Sequence, residues 1–156
     1  MEYPKSYFED EVREGFFIPS ILKKCWASAK STYDNLEEIC KANKFFLVGG
    51  YGTMMGAIRH GGYIPWDDDL DVEMKRSDYK KLLEVEKTQD TYFIDDITKR
   101  KMVYINEIRR FVTRAGVYTA QEDWEEKFGF PINIPNDIFV HDCIPKEKNR
   151  DRKSVV

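Results

Sequence analysis

Asp67-Asp68-Asp69-Leu70-Asp71-Val72-Glu73 places five carboxylates in seven positions, directly after Gly61-Gly62-Tyr63-Ile64-Pro65-Trp66. From Asp69 to Met74 acidic and apolar residues alternate, as on a strand with one buried face. Asp69 and Asp71 then share a face, with Glu73 following, while Leu70, Val72 and Met74 turn to the core. Asp67 and Asp68 fall in the preceding loop. Carboxylates held side by side on a rigid strand repel one another and call for a cation. Oxygen ligands favour a hard one, Mg²⁺ or Mn²⁺.

Three other readings compete. A solvated charge run is at odds with the apolar alternation and the preceding Pro-Trp. An EF-hand would use Asp67, Asp69 and Asp71 at positions 1, 3 and 5 and Asp78 at position 12, but position 6 is Val72 where glycine must turn. A dinucleotide fold would use Gly50, Gly52 and Gly56, but their spacing is GxGxxxG, and such a site needs one acid rather than a cluster.

A second feature lies just upstream. Gly49-Gly50 ends an apolar run and leads to a helix start, where backbone N–H groups can approach a phosphate closely. With Gly52 and Thr53 they form a candidate phosphate cradle, and Arg59 and His60 close the short helix that follows. Glycines for phosphate beside acids for metal point to phosphoryl transfer.

The positioning elements follow from periodicity. Apolar residues recur at Ile18, Leu22, Cys25, Trp26, Ala29, Tyr33, Leu36 and Cys40 in steps of three and four, which predicts a long N-terminal helix over Phe16 to Asn43. This stripe is assigned to core packing. Phe45 to Val48 reads as a buried strand, Thr53 to Arg59 as a helix capped by Thr53, and Asp69 to Met74 as a second strand. Ser77 to Glu86 reads as an amphipathic helix capped by Ser77, with Tyr79, Leu82 and Leu83 inward. Strands are expected at Tyr92 to Ile94, Lys101 to Ile108 and Asp137 to Val140, a helical turn at Asp123 to Phe128 and a loop at Gly129 to Pro135. Residues 146–156 form a charged tail. The fold class is α+β, a mix of helices and strands in one domain over residues 1–156.

Composition excludes several classes. With 42% hydrophobic residues, 14% aromatics and a net charge of −3, a core forms and no nucleic-acid footprint exists. The cysteines, Cys25, Cys40 and Cys143, are odd in number and lack a CxxC pair, so neither a disulfide scaffold nor a zinc knuckle is indicated. Cys25 and Cys40 would lie roughly 22 Å apart on one helix. No signal-like or membrane-spanning apolar run exists, so a soluble, cytoplasmic protein is expected, with peripheral membrane association left open.

The stretch from Gly52 to Val72, GTMMGAIRHGGYIPWDDDLDV, resembles the signature of the LicD/fukutin phosphotransferases. Glu11 to Ala27 looks like that family's N-terminal region, and Asn136-Asp137-Ile138-Phe139 is similar to its Asp-Ile-Phe segment, with Asn136 where the family prefers Ile. The resemblance implies a nucleotidyltransferase-like core, a small mixed sheet flanked by helices, without the family's C-terminal part. It implies a transferase of cell-surface glycan biosynthesis that moves phosphorylcholine or a polyol phosphate from a CDP-linked donor, such as CDP-choline or CDP-ribitol, to a glycan or lipid-linked glycan, releasing CMP. Asp69, Asp71 and Asp137 would hold the metal, and Asp67 or Asp137 would take the proton of the attacking hydroxyl. A choline group would favour aromatic faces, for which Tyr51, Tyr63 and Trp66 are candidates. The alternative is a metal- and nucleotide-binding remnant without turnover.

Overall fold

The computed structural model describes residues 3–88, 92–96, 112–119, 134 and 136–142. An α+β arrangement is observed. A short hairpin, β1 (Glu11–Arg13) and β2 (Phe16–Ile18), precedes the long helix α1 (Ser20–Asn43). Then come β3 (Leu47–Gly49), α2 (Tyr51–Arg59), β4 (Asp71–Lys75), α3 (Arg76–Glu86), β5 (Tyr92–Asp96), β6 (Val112–Thr119) and β7 (Asn136–His141). Among the described residues the main sheet runs β3-β4-β7-β6-β5. Only β4 and β7 are parallel, with Asp71 opposite Asp137 and Met74 opposite Val140. The other neighbours are antiparallel.

The alternation along β4 and β7 sorts the sheet into two faces. Val72, Met74, Ile138 and Val140 are fully buried against Leu36 and Cys40 of α1 and Tyr79 and Leu82 of α3. Each such apolar side chain contributes about 2 kcal/mol on burial. Asp71, Glu73, Asp137 and Phe139 take the opposite face, half-buried, on which the Tyr51 ring at the start of α2 tilts over Phe139 with centroids 4.7 Å apart. Burial pushes the Cys40 thiol up to about 12, and Cys25 is half-buried and also raised, by burial first and then by Asp68. Both behave as packing residues. Cys143 lies outside the described residues.

Several boundaries differ from the sequence expectation. The helix starts at Ser20, because Pro19 holds φ −72° and ψ 152°, an extended conformation, and Phe16 to Ile18 pair with Glu11 to Arg13 instead. The turn between them uses Glu14 and Gly15, with φ of 52° and 80°. Helix α2 begins at Tyr51, and Thr53 does not cap it; its hydroxyl accepts from the Asp71 N–H at 2.8 Å. Helix α3 follows β4 without a loop, so Lys75 stands at the N-cap and Ser77 lies inside the first turn. Strand β4 starts at Asp71, which leaves Asp69 in the loop. Strand β6 was not foreseen. The expectations for Lys101 to Ile108, Asp123 to Phe128, most of Gly129 to Pro135 and the tail fall outside the described residues.

The hairpin is tied to α1 by charge. Lys23 is 5% exposed and places its Nζ 2.6 Å from Glu11 Oε2, while Arg13 Nε donates to the other Glu11 oxygen at 2.7 Å. These hydrogen bonds from Arg13 and Lys23 hold the Glu11 carboxyl down to about 2. A depressed carboxylate contributes stability above its unfolded value of about 4.5 and loses it as pH falls towards 2. Glu11→Gln leaves a buried ammonium facing a neutral amide, and the expected cost at pH 7 is on the order of 1–2 kcal/mol, below that of a fully buried pair. Urea denaturation from pH 7 to pH 2 should show this difference shrinking below pH 4.5.

Candidate active site

The acidic loop is held from beneath by α1. The Trp26 indole N–H donates to the Asp67 carbonyl at 2.7 Å. Tyr63 stacks on Trp26 with centroids 4.9 Å apart and planes 8° apart, and its hydroxyl donates to the Trp26 carbonyl at 2.9 Å. From the other side, Gly56 of α2 packs on the loop so tightly that a Cβ there would collide with the Gly62 carbonyl. The end of α2 is braced by the hairpin: His60 Nδ1 lies 2.8 Å from Glu14 Oε1, and Trp66 meets the edges of Phe16 and His60, each at 5.9 Å.

The backbone of Asp71 is gripped at both groups. Its N–H donates to Thr53, and its carbonyl accepts from the Gly50 N–H at 3.0 Å. On the far side, the Asp137 N–H donates to the Leu70 carbonyl at 3.0 Å. These bonds bring one carboxylate oxygen each from Asp69, Asp71 and Asp137 within 4.8 Å of one another, all three residues half-buried. Asp67, Asp68 and Asp69 form a second cluster of the same spacing, with Asp68 exposed. Three hard oxygen donors on two strands and a loop fit a hard divalent cation. Asp69 reaches this point from the loop, so strand alternation is not what aligns it with Asp71.

Asp67 sits against Gly52, where a Cβ would collide with its Oδ2. Burial first, then the nearby Asp69 charge, raises its carboxyl above the usual range. Glycine at position 50 has a comparable reason: a Cβ there would come within 2.8 Å of Glu73 Cγ. Glu73 in turn lies 3.3 Å from His141 Nε2. These glycines serve close packing of carboxylates, not the turn of a dinucleotide site.

The candidate phosphate groups separate. Gly49 ends β3, Gly50 N–H is committed to Asp71, and Gly52 and Thr53 lie in the first turn of α2 beside the carboxylates. Arg59 and His60 lie at the other end of that helix, roughly 9–12 Å along its axis at 1.5 Å per residue. The aromatic candidates separate as well: Tyr63 lines a cavity next to Asp67 and Asp69, whereas Tyr51 sits on Phe139 and Trp66 is 59% exposed by the hairpin. Periodicity had placed Trp26 and Tyr33 in the core stripe. Both do pack there, Trp26 buried and Tyr33 against the core cluster; in addition Trp26 carries the loop and Tyr33 lines the cavity. The available signal for Trp26 was that a buried indole N–H needs an acceptor. His141 beside Glu73 had no sequence signal, since only the β4–β7 register joins them.

The family described as LicD/FKTN/FKRP, nucleotidyltransferase domain, matches residues 44–154. The chain belongs to this family. The lipopolysaccharide cholinephosphotransferase LicD of Haemophilus influenzae is 31% identical over 116 residues, which cover 73% of this chain and 42% of that relative. Both carboxylate clusters and all of α2 lie within the LicD-family match.

Two glycine substitutions separate packing from site geometry. Gly56→Ala drives a methyl into a backbone carbonyl that cannot swing away, and a loss on the order of 2–3 kcal/mol is expected. Gly52→Ala meets only the end of a side chain, so stability should change by less than about 1 kcal/mol while the Asp67 carboxylate moves. Thermal melts of both variants, with the Asp67 position followed by crystallography, check this pair of outcomes.

Proposed function

We propose that this chain transfers a phosphorylated alcohol, phosphocholine or a polyol phosphate, from a CDP-linked donor to a glycan hydroxyl and releases CMP. The observation that carries the reading is the convergence of Asp69, Asp71 and Asp137 beside the first turn of α2. Membership of the LicD family supports it, and the named relative is a lipopolysaccharide cholinephosphotransferase. Asp69, Asp71 and Asp137 would hold Mg²⁺ or Mn²⁺. Such a cation supplies charge neutralisation for the phosphoryl group and the departing CMP.

The chain's own groups account for the remaining requirements. The α2 N-terminus, with Gly52 and Thr53 in its first turn, offers a positive dipole end towards the donor diphosphate. Arg59 and His60 stand too far along α2 to share that task. The acceptor oxygen forms a bond to the distal phosphorus as the bond from that phosphorus to the CMP oxygen breaks. The proton of the attacking hydroxyl passes to a carboxylate, Asp67 or Asp137, that is not fully engaged with the cation. Half-burial of the cluster strengthens each of these charge interactions relative to water.

Replacing Asp69, Asp71 or Asp137 by Asn keeps shape and removes one charge. CMP release from CDP-choline or CDP-ribitol with Mn²⁺ should fall about 100-fold or more, as when other electrostatic stabilisers of a transition state are removed. Asp68→Asn, at the exposed edge, should cost far less. Without metal the three inner variants should melt at or above the wild-type temperature, because like charges are relieved. Equal activity in all four variants would sink the reading. Metal-dependent donor binding without any CMP release would favour the remnant instead.

A further inference from the structure

Helix α2 is built inside out. Its small residues Gly52, Thr53 and Ala57 line the cavity beside Asp67 and Asp69, and Gly56 is buried against the loop. Its large apolar side chains, Tyr51, Met54, Met55 and Ile58, turn to solvent, with Met54 51% and Ile58 77% exposed. Their spacing of i, i+3, i+4 and i+7 makes one continuous ridge about 100° wide, the stripe that an ordinary amphipathic helix turns to the core. At the far end of the helix His60 meets the edge of Trp66, which is itself exposed. We propose that this ridge docks on a lipid bilayer surface, with Met54, Met55 and Ile58 among the acyl chains and Arg59 at the headgroup phosphates. The proposal holds whether or not the chain transfers phosphate.

Charge and side-chain type select the occupant. The chain carries 28 acids in 156 residues, yet none lies between Tyr51 and Trp66. Arg59, next to Ile58, has no ion-pair partner among the described residues. The nearest hairpin acid, Glu14, is engaged by His60, and Asp68, exposed two residues past Trp66, bounds the face. In a two-fold contact between copies the same stretch must answer itself, and it has no acid to meet Arg59. An anionic lipid surface does meet it. Methionine and isoleucine with a tryptophan at the edge suit a partner without fixed shape: flexible apolar chains enter the acyl region, and an indole sits at headgroup level. One ridge of so few side chains gives reversible association, not a permanent anchor. The ridge starts at Tyr51, whose ring lies on Phe139, the next residue on the site face of β7 after Asp137. Docking therefore brings the carboxylate cluster close to the headgroup layer.

The test is flotation of the full chain with vesicles of phosphatidylcholine alone and of phosphatidylcholine mixed with phosphatidylglycerol. The wild type should bind both, the anionic vesicles more tightly. Met54→Gln combined with Ile58→Gln should weaken binding to both about tenfold or more, since these side chains enter the bilayer. Arg59→Gln should weaken binding to the anionic vesicles about fivefold and leave phosphatidylcholine binding unchanged. A wild type that floats with neither vesicle would overturn the proposal. So would a double variant that melts like the wild type and still floats as well. Quenching by lipids with brominated acyl chains needs no change to the ridge: tryptophan emission of the wild type should fall on vesicle binding, and Trp66→Phe should abolish most of that fall. A bound protein whose emission is not quenched, or is quenched equally in Trp66→Phe, would place the contact elsewhere. Analytical ultracentrifugation without lipid tests the other occupant. A wild-type dimer that the Met54→Gln and Ile58→Gln pair converts to a monomer would assign the ridge to a second copy and overturn the lipid assignment.

Discussion

The parallel pairing of β4 with β7 is the constraint on which the site depends. It sets Asp71 opposite Asp137, two carboxylates far apart in sequence that would separate if free to do so. At the outer limit of their spacing, each charged pair repels by on the order of 3 kcal/mol for an effective dielectric of about 20. Burial of one or two core side chains offsets a penalty of that size. Val72, Met74, Ile138 and Val140 supply four on the opposite face of the same two strands. The register that buries them is therefore the register that crowds the carboxylates, and a slip by one residue would expose the first set and bury the second.

Around this pair the structure builds outward by commitments of backbone groups. The start of α2 grips Asp71 through Gly50 and Thr53. Helix α1 carries the loop through the Trp26 indole and the stacked Tyr63. The hairpin braces the far end of α2 through Glu14 and Trp66's neighbour Phe16. Glycines occur where these layers touch most closely: Gly50 under Glu73, Gly52 under Asp67 and Gly56 under Gly62. Backbone hydrogen bonds and close packing of the supporting elements hold the cluster of like charges in place. Crowding like charges in this way costs stability that the apolar face of the same strands offsets.

Much of this was legible beforehand. The acidic stretch, the glycine-led helix, the alternation of Asp71 to Met74 and the long amphipathic helix all follow from local spacing, and local spacing is what periodicity reports. Where the reading slipped, a non-local or strictly stereochemical term decided. Pro19 and the pairing with Glu11 to Arg13 took Phe16 to Ile18 out of the helix. Thr53 was diverted from capping by the Asp71 N–H, eighteen residues away. Asp69 was expected on the strand and lies before it, yet it still reaches Asp71, because the loop folds it back.

The sequence by itself determined the chemical inventory: hard oxygen ligands in one short run, glycines ahead of a helix, a resemblance to LicD-type phosphotransferases, and a core able to bury them. Tertiary structure alone decided which of these groups meet. Asp137 joins Asp71 only through the β4–β7 ladder. Arg59 and His60 stand at the opposite end of α2 from Gly50 and Gly52. Tyr33, read as packing, packs on the core and also lines the cavity beside Asp67 and Asp69, while Trp66, closer in sequence, stands exposed by the hairpin. The physical reason is range. Side-chain type and helical or strand period act over a few residues, whereas strand register and helix docking join positions tens of residues apart, and no local pattern encodes that distance.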